Sequence, residues 1–411
     1  MSKTFASIDV GTSKVCSVIA TIGDGETIQI LGVGIVPSKG VQKGLVVDID
    51  LAIDAIRESV MIAGRTSGLM MESAYVGVTG RHISALNSHG VISTTRSDKR
   101  VTEDDLDRVL EAARSITIPS DRRLLHVIPR QYVLDGQVAI KDPVGMYGFR
   151  LDVETHIVTA AAAAVQNLIK AVRGAGVEIE NLVLSPLAVG ETVLTEDEKN
   201  AGVIVADIGA GTTGVAIFKE GCAWHSAILP VGGANITRDI GIGLGTPNEL
   251  AEEMKKKYGN LMNTNNAESD GGSLDAGNRH TVSYRDLNDI VKMRVEEILR
   301  LIMMEVPRGE RDMLAPAGLV LTGGTANMPG LATFARETLE MPHVRVGMPS
   351  GITGITDTLR DPATSAGVGL IFWGANRDAE NDWKIPEIKP NLRGTLRSGV
   401  TSIKQKFFSR R

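Results

Sequence analysis

The sequence predicts an α/β protein whose two halves are related and face one another across a cleft. Short β-branched segments alternate with helical segments, which is typical of α/β folds. An apolar strand followed by aspartate, an apolar residue and glycine occurs twice, and its aspartates, Asp9 and Asp207, lie 198 residues apart. Because that spacing is about half of the 411 residues, the repeat indicates two related halves.

The same order of predicted elements opens both halves. In the first half we expect two hairpin strands, a third strand, a helix and a fourth strand, at residues 5–10, 15–22, 28–36, 50–63 and 73–78. In the second half we expect three strands, at residues 203–206, 214–219 and 222–230. Residues 82–160 are predicted to form an inserted subdomain, with a helix that Thr102 caps and strands at residues 124–134 and 151–158. Residues 260–278 are rich in Asn, Gly, Ser and Asp, which predicts a mobile surface loop.

Composition argues against several classes of function. The net charge of −5 and the aromatic content of 4% disfavour nucleic-acid binding. Cys16 and Cys222 lack metal-ligand spacing, so we expect free thiols in a reducing compartment. The sequence opens without a secretion signal, and no apolar run reaches the roughly 18 residues of a membrane-spanning helix. We therefore expect a cytoplasmic protein whose membrane attachment is peripheral.

The two aspartate-containing hairpins predict a site for a metal–phosphate group. Glycine lets backbone N–H groups close on an anion, and hydroxyl groups add hydrogen bonds. The candidate phosphate ligands are Gly11, Thr12, Ser13 and Lys14 in the first loop and Gly209, Ala210, Gly211, Thr212 and Thr213 in the second. Asp9 and Asp207 would hold Mg²⁺, largely through water, because a carboxylate repels phosphate. One such loop alone indicates only a hairpin, whereas two matched loops favour a ligand site.

Two further segments are candidates for holding a nucleoside. An apolar strand ends in a Gly-Gly turn and is predicted to enter a helix near Met328, where backbone can approach a flat ligand closely. The expected residues of this segment are Gly323, Gly324, Thr325 and Met328. Glu252 and Lys255 share one face of a predicted helix and can grip ribose hydroxyls. Taken alone, the first segment is also an ordinary strand-to-helix turn and the second a solvated charged face.

These motifs resemble those of the superfamily that contains actin, Hsp70 chaperones and sugar kinases. The segments similar to its phosphate-1, phosphate-2 and adenosine motifs are Asp9-x-Gly11-Thr12, Asp207-x-Gly209-x-Gly211-Thr212, and Gly323-Gly324-Thr325 with Pro329-Gly330. Residues 181–188 and 363–369 resemble the two connecting segments. Over nearly its full length the chain resembles the FtsA family of bacterial cell-division proteins, including residues 75–83 and the stretch 231–239, which adds Gly233 to the expected site.

The resemblance implies an actin-like fold with a nucleotide cleft, four subdomains and a tail helix. The expected boundaries are 1–81, 161–200 and 363–375 for subdomain 1A, 82–160 for 1C, 201–240 and 310–362 for 2A, 241–309 for 2B, 376–393 for a linker and 394–411 for an amphipathic helix. ATP with Mg²⁺ is expected in the cleft. The implied partners are further copies of the chain in a filament, the C-terminal peptide of the tubulin-like protein FtsZ, anionic membrane lipid, and other division proteins at subdomain 1C. The implied location is the cytoplasmic face of the cell membrane at the division septum.

One segment departs from the superfamily pattern. Hydrolysing relatives place Glu or Gln near the start of the first connecting helix to orient water, whereas the matching residues 160–165 are five alanines and a valine. Gln166 is nearby but one or two positions out of place. Because water would be poorly oriented, we expect ATP binding with at most slow hydrolysis.

The last 16 residues predict a helix that binds an anionic membrane surface. The expected membrane residues are Leu396, Val400, Ile403, Lys404, Phe407, Phe408, Arg410 and Arg411. Four of the apolar ones are spaced by 4, 3 and 4 residues and so form one stripe, with basic residues on the other faces. Apolar burial and charge attraction nearly offset the cost of ordering the tail, so one tail binds weakly while a filament of many tails binds firmly. A solvated tail and a helix docked on the protein itself are the alternatives.

Two other functions fit parts of the sequence. A small-molecule kinase or phosphohydrolase on the same fold would need a polar acceptor pocket with a general base, and none is evident; phosphate release at many turnovers per second would favour it. A pilus-assembly scaffold similar to FtsA would dock a peptide of a membrane partner and would not need the tail.

Overall fold

The computed structural model describes residues 3–23, 27–94, 98–116, 118–262, 273–275, 281–307 and 314–379 of the chain. The strands are β1 (Lys3–Val10), β2 (Lys14–Ile22), β3 (Ile28–Pro37), β4 (Val41–Gln42), β5 (Leu45–Val46), β6 (Ser73–Val78), β7 (Ile83–Ser93), β8 (Arg122–Leu134), β9 (Gln137–Ile140), β10 (Arg150–Ala161), β11 (Glu178–Leu184), β12 (Val203–Ile208), β13 (Thr213–Lys219), β14 (Cys222–Leu229), β15 (Ser273–Asp275), β16 (Thr281–Ser283), β17 (Leu319–Thr322), β18 (Val344–Val346) and β19 (Ile352–Gly354). The helices are α1 (Ile49–Ser67), α2 (Glu103–Arg114), α3 (Ala162–Gly174), α4 (Ser185–Val193), α5 (Glu196–Ala201), α6 (Gly233–Leu244), α7 (Asn248–Tyr258), α8 (Tyr284–Met304), α9 (Leu331–Leu339) and α10 (Ser365–Ala379). Short 3-10 helices at Gly324–Asn327 and Pro362–Thr364 precede α9 and α10.

Two of the sheets share one topology. The first has the order β11-β6-β1-β2-β3-β19, and the second has the order β18-β17-β12-β13-β14. In each, a central antiparallel hairpin, β1–β2 or β12–β13, is flanked by a parallel neighbour, β6 or β17. Both hairpin loops therefore lie where a central strand ends, which is a common place for a ligand site in α/β sheets. The prediction of two related halves is confirmed.

Helix α1 packs closely on the first sheet. Its start is capped by Asp48, whose side chain accepts a hydrogen bond from the Leu51 N–H, and it ends at Gly68 in the left-handed region with φ 72°. The helix can approach the backbone of β3 because residue 34 is glycine. A Cβ at this position would lie 1.9 Å from the Ser59 carbonyl oxygen. A side chain at position 34 would force the helix away from the sheet.

The inserted segment forms a sheet of its own. Its order is β7-β10-β8-β9, and α2 packs across β7 and β10. Thr102 is the N-cap residue of α2, as expected, and its N–H and hydroxyl both donate to the Asp105 carboxylate, at 3.1 and 2.9 Å. The buried side chains of Val109, Leu151 and Val153 contribute to a separate small core.

The C-terminal part of the described chain returns to the first sheet. Helix α10 packs on it, and the Ser7 hydroxyl donates a 2.7 Å hydrogen bond to the Gly367 carbonyl across 360 residues of sequence. Phe5, Val368 and Ile371 share one buried cluster at this contact. The first half is therefore assembled from both ends of the described chain.

Three predictions of local structure either differ from the structure or concern residues outside the described ranges. The Gly-Gly turn does not enter an α-helix near Met328: a 3-10 turn forms first, and α9 begins at Leu331 because Pro329 and left-handed Gly330, with φ 83°, interrupt the helix. Part of the expected loop at 260–278 is strand β15, paired with β16, and its residues 263–272 and 276–278 lie outside the described residues. Helix α10 extends to residue 379, and the rest of the predicted linker and the whole tail helix also lie outside them. No described helix is long and apolar enough to cross a membrane.

Candidate functional site

The two hairpin loops have the same backbone geometry. In the first, the Gly11 N–H donates to the Lys14 carbonyl at 3.0 Å, and in the second the Gly209 N–H donates to the Thr212 carbonyl at 2.9 Å. Asp9 pairs with Cys16 across the first hairpin, and Asp207 takes the equivalent position opposite Gly214 in the second. The sequence repeat therefore corresponds to a repeat in three dimensions.

The loops line a single cavity of about 420 Å³. Of the residues predicted from sequence, the cavity is lined by Asp9, Gly11, Thr12, Ser13, Lys14, Asp207, Gly209, Ala210, Gly211, Thr212, Gly233, Glu252, Lys255, Gly323, Gly324, Thr325 and Met328. They come from both halves of the molecule. Asp9 and Asp207 thus face one crevice, which is the arrangement on which the sequence hypothesis depended.

The two halves touch at this cavity. A Cβ built on Gly211 would lie 2.6 Å from Thr12 Oγ1, so only glycine lets the second loop approach the first. The hydroxyl oxygens of Thr79, in the first half, and Thr212, in the second, are 3.5 Å apart across the seam where the two halves meet. A ligand in the cavity would therefore contact both halves at once.

Asp9 and Asp207 are the two aspartates that line the cavity, and both have raised pKa values. Burial raises the pKa of Asp9 to about 6, with Lys14 opposing the shift. The pKa of Asp207 rises to about 7, chiefly through burial and further through the charge of Asp9. Each carboxylate keeps partial exposure toward the cavity, and the Asp9 oxygen and the Ser185 hydroxyl both lie close to Gly77. Two carboxylates that line one cavity offer ligands to a divalent cation, and its charge would favour their ionised forms.

The donor set fits a metal held mostly by water and ligand oxygens. Among the described residues no group of three or more His, Cys, Asp or Glu side chains is placed to bind a metal ion. The chain itself offers the two carboxylates, so the remaining coordination sites of Mg²⁺ would belong to water and phosphate. This agrees with the tendency of Mg²⁺ to keep several of its waters.

The second loop is bonded to the start of helix α6. The Gly233 N–H donates to the Gly209 carbonyl and the Ala234 N–H to the Ala210 carbonyl, both at 2.8 Å. A Cβ on Gly233 would lie 2.7 Å from Thr325 Oγ1, so the loop, the helix start and the Gly-Gly turn form one close-packed wall. Backbone rather than side chains therefore builds this wall.

Glu252 and Lys255 on α7 form an ion pair at the wall of the cavity. Lys255 Nζ lies 2.6 Å from Glu252 Oε2, and it also donates to the Gly233 carbonyl and the Thr237 hydroxyl at 3.0 and 2.8 Å. Burial alone would raise the pKa of Glu252, but the hydrogen bonds from Lys255 and Thr237 outweigh it and hold this pKa below its usual range. Burial lowers the pKa of Lys255, and the hydrogen bonds of the pair hold both side chains in place.

The Gly-Gly turn requires glycine at its first position. Gly323 has φ 87°, and a Cβ there would lie 2.3 Å from Asp207 Oδ1. The Gly323 N–H donates to the Pro362 carbonyl at 3.1 Å, which joins the turn to the segment before α10. The turn therefore lies against the Asp207 carboxylate on one side and the segment before α10 on the other.

Thr213 is the predicted phosphate ligand that the structure does not bring to the cavity. It is fully buried, and its hydroxyl donates a 2.9 Å hydrogen bond to the Val231 carbonyl inside the sheet. Thr212 occupies the last position of the loop and Thr213 begins β13, so its side chain alternates to the opposite face.

Residues 160–166 also lie away from the cavity, at the junction of β10 and α3. The start of the helix beside the cavity is instead Ser185 and Pro186 of α4. The assignment of residues 160–165 to the start of the first connecting helix was therefore wrong. Residues 181–188, which also resemble that connecting segment, do reach the cavity, at Ser185 and Pro186.

Several lining residues were missed by the sequence analysis. They are Thr79, Ser185, Pro186, Gly214, Lys256, Gly259, Asn327, Pro329, Ala363 and Ala366. Most lie inside segments already singled out by resemblance, but as small or apolar side chains they carry no chemical signal of their own. Lys256 adjoins Lys255 and was indistinguishable from a solvated lysine.

The fold and the cavity define this chain as a protein of the actin-like class. It has two related sheets that face a cleft, and an inserted subdomain. Two family models match, "Cell division protein FtsA" over residues 204–369 and "SHS2 domain inserted in FTSA" over residues 80–159. The cell-division protein FtsA of Pseudomonas aeruginosa is 39% identical over 381 residues, covering 92% of this chain and 91% of that protein. The chain therefore belongs to the FtsA family of cell-division proteins.

Solved structures show the same fold at lower identity. The pilus protein in the "PilM-PilN type IV pilus biogenesis complex" has a TM-score of 0.64 at 18% identity, with 90% of this chain and 98% of that chain covered. MreB5 of Spiroplasma citri, solved bound to ADP, has a TM-score of 0.54 at 14% identity, with coverage of 92% and 99%. At these identities the likeness concerns the fold alone.

Proposed function

We propose that the cavity binds ATP with Mg²⁺, clasped between the two hairpin loops. The observation that carries this proposal is the pair of matched turns, each of which lines the same cavity with glycine and small side chains and has an aspartate beside it. The cavity volume of about 420 Å³ lies in the usual range for small-molecule sites. MreB5, which shares the fold, was solved with ADP, and this supports a nucleotide as the ligand.

The proposed roles follow the wall on which each residue lies. Phosphates would contact the first and second loops, at Gly11, Thr12, Ser13, Lys14, Gly209, Ala210, Gly211 and Thr212. Mg²⁺ would be held by Asp9 and Asp207, largely through water, and would supply the charge that neutralises the phosphates. The nucleoside would lie against Gly233, Glu252, Lys255, Gly323, Gly324, Thr325 and Met328.

We propose slow ATP turnover at most. At the start of α4 the cavity is lined by Ser185 and Pro186, and neither is a strong general base. The carboxylates among the described lining residues are Asp9, Asp207 and Glu252, of which the first two would hold metal and the third is paired with Lys255. This arrangement favours a nucleotide-dependent scaffold over a small-molecule kinase or phosphohydrolase.

We propose that the chain polymerises at the cytoplasmic face of the membrane and tethers FtsZ at the septum. Membership of a family of cell-division proteins supports the division role. Self-association, binding of the FtsZ C-terminal peptide, contact of subdomain 1C with other division proteins and the subdomain boundaries given above are part of the same proposal. A pilus-assembly role has in its favour the fold likeness to the pilus protein, at 18% identity.

Membrane attachment through residues 394–411 is tested by co-sedimentation with anionic liposomes, with and without ATP and Mg²⁺. We expect the full chain to sediment, more strongly with ATP because a polymer carries many tails, and a chain ending at residue 393 to stay in solution. Liposome binding that survives the deletion would refute the tail as the anchor and would favour the pilus-type scaffold.

Nucleotide binding is tested directly by titration of a fluorescent ATP analogue in the presence and absence of Mg²⁺. We expect saturable, Mg²⁺-dependent binding and phosphate release far below one turnover per second. No binding at millimolar concentration would refute the proposed ligand, and rapid turnover would favour the enzyme alternative.

A further inference from the structure

The inserted subdomain contacts both halves of the molecule through one face of its sheet. His126 on β8 pairs with Val158, and His156 on β10 pairs with Ile128, so the two histidines are diagonal neighbours on adjacent strands. Residues two apart along a strand share a face, and the two imidazoles therefore point the same way. Both are buried, with 5% and 0% exposure.

His126 binds the first half. Its Nε2 accepts a 3.0 Å hydrogen bond from the backbone N–H of Leu184, and its ring meets Trp373 of α10 edge-on with 5.4 Å between centroids. Leu184 immediately precedes Ser185, which lines the cavity. This contact therefore ends one residue from the proposed nucleotide site.

His156 binds the second half. Its Nε2 lies 2.8 Å from the Ser226 hydroxyl on β14, and its Nδ1 lies 2.9 Å from Asn87 Oδ1 on β7. Because an amide oxygen only accepts, Nδ1 carries the proton and Nε2 accepts from Ser226. Burial, helped by His225 and Arg130, lowers the pKa of His156 to about 3, so the ring is neutral and can play both roles.

A second contact reinforces the one made by His156. The guanidinium group of Arg130 on β8 stacks on the Trp224 ring of β14 at 3.9 Å from its centroid. Trp224 and Ser226 both lie on β14, so this strand contacts the insertion at two residues. The insertion thus spans the seam between the halves, and the two loops meet across that seam at the cavity.

We propose that His126, His156 and Ser226 are positioning residues, which hold the two halves at the separation where both phosphate loops reach one ligand. The proposal rests on the proposed binding of ATP in the cavity. We call the contacts of His126 with Leu184 and of His156 with Ser226 the strap. A ligand that bridges the two loops and a strap that bridges the two halves stabilise the same arrangement. Binding of the ligand and formation of the strap must therefore favour one another. Releasing the strap lowers ligand affinity although no strap residue touches the ligand.

The first test compares two serine-to-alanine variants of the full chain. Ser226→Ala removes the donor to His156, whereas Ser88→Ala removes a hydroxyl that donates to the Ala113 carbonyl at 2.8 Å wholly within the insertion. We expect Ser226→Ala to raise the Kd for Mg–ATP by about 5- to 20-fold, in the range of measured couplings between sites, and Ser88→Ala to change it less than about 2-fold. Equal losses in both variants would reduce the effect to general loss of stability and would overturn the proposal.

The second test needs no nucleotide. Spin labels at Glu58 on α1 and Ile242 on α6, both exposed, report the distance between the halves in a Cys222→Ser background. Buried Cys16, whose pKa burial raises to about 12, would not react with the label. We expect Ser226→Ala to broaden the distance distribution and Ser88→Ala to leave it as narrow as in the parent.

The two measurements separate the inference from the proposed function. If the parent fails to bind Mg–ATP while Ser226→Ala still broadens the distances, the proposed ligand is wrong and the strap stands. If Ser226→Ala leaves the distances unchanged, the strap is refuted whatever the nucleotide affinity.

Discussion

The two loops of the cleft share a backbone and differ in their side chains. The first carries Thr12, Ser13 and Lys14, which bring hydroxyls and a cation, while the equivalent positions of the second are Ala210, Gly211 and Thr212. The second loop instead gives its carbonyls to the start of α6, and its glycine allows the close approach to the first loop. The two related turns therefore differ in what they contribute. The first loop contributes a cationic side chain, and the second loop contributes backbone contacts to α6 and to the first loop.

The largest effect is expected from the feature that the loops share. Asp207→Asn removes one of the two carboxylates that would hold Mg²⁺, and we expect Mg–ATP affinity to fall about 100-fold or more. Near pH 8 the free variant should melt at a higher temperature than the parent, because a buried charge is removed. Titration with Mg–ATP and thermal unfolding of the same preparation measure both.

Asp9→Asn is the matched variant in the other half and should behave in the same way. A variant that loses binding and also melts lower would indicate a folding defect. Unchanged Mg–ATP affinity in Asp207→Asn would contradict the metal role.

The difference between a charged and a neutral loop is tested most directly at one equivalent pair of positions, Lys14 and Thr212. Lys14→Gln removes a charge-assisted contact and should weaken Mg–ATP binding about 10- to 100-fold, whereas Thr212→Val removes a neutral hydrogen bond and should weaken it about 2- to 10-fold. Raised salt should diminish the difference between parent and Lys14→Gln. Similar losses in both variants would mean that the loops contribute equally.

A smaller effect concerns pH. Since metal binding needs ionised carboxylates, Mg–ATP affinity should rise between about pH 5.5 and 7.5, and binding at pH 6.5 should release about one proton, because the pKa values are about 6 for Asp9 and about 7 for Asp207. Calorimetry in two buffers of different ionisation heat measures the protons released. Asp207→Asn should release fewer, and release independent of pH would contradict the assignment.

Stability of the free protein should respond in the opposite direction. Both folded pKa values exceed the ordinary value of 3.8, so these groups favour folding below about pH 4, and that contribution is lost as the pH rises through 6 and 7. The difference in melting temperature between Asp207→Asn and the parent isolates this contribution, and it should grow from pH 5 to pH 8. A constant difference would show that Asp207 does not titrate in this range.

The smallest effect on binding is expected at Thr213. Thr213→Val removes the hydroxyl that donates to Val231, and it should lower stability by about 1 kcal/mol while changing Mg–ATP affinity less than about 2-fold. Denaturant unfolding and nucleotide titration provide the two numbers. Loss of affinity comparable to Thr212→Val would restore the sequence-based assignment of Thr213 as a ligand.

The sequence revealed the fold because its signal is repeated. Asp9-x-Gly11 and Asp207-x-Gly209 indicated two halves, and alternating apolar patterns located strands such as β6 correctly. Both aspartates, and the lining residues of both loops, could be predicted because glycine, hydroxyl and carboxylate side chains carry a chemical meaning that can be read locally.

What the sequence could not supply were contacts set by tertiary packing. Thr212 and Thr213 are the same residue type in adjacent positions, and only the end of the loop decides which one faces the cavity. The alanine-rich stretch at 160–165 and the Ser185–Pro186 pair both precede helices, and their distance from the cleft depends on the chain path. The bridge from His156 to Ser226 joins residues 70 apart in sequence, with no local pattern to announce it.

The hydrogen bond from Ser7 to Gly367 has a consequence for how the protein is made. One core cluster of the second half uses residues between 204 and 344, a contiguous stretch that a nascent chain can complete while synthesis continues. The first half begins earlier but waits for α10 to cover Phe5 and its neighbours. During synthesis this cluster can therefore form before α10 is available, and until then the face of the first sheet that holds Phe5 stays uncovered.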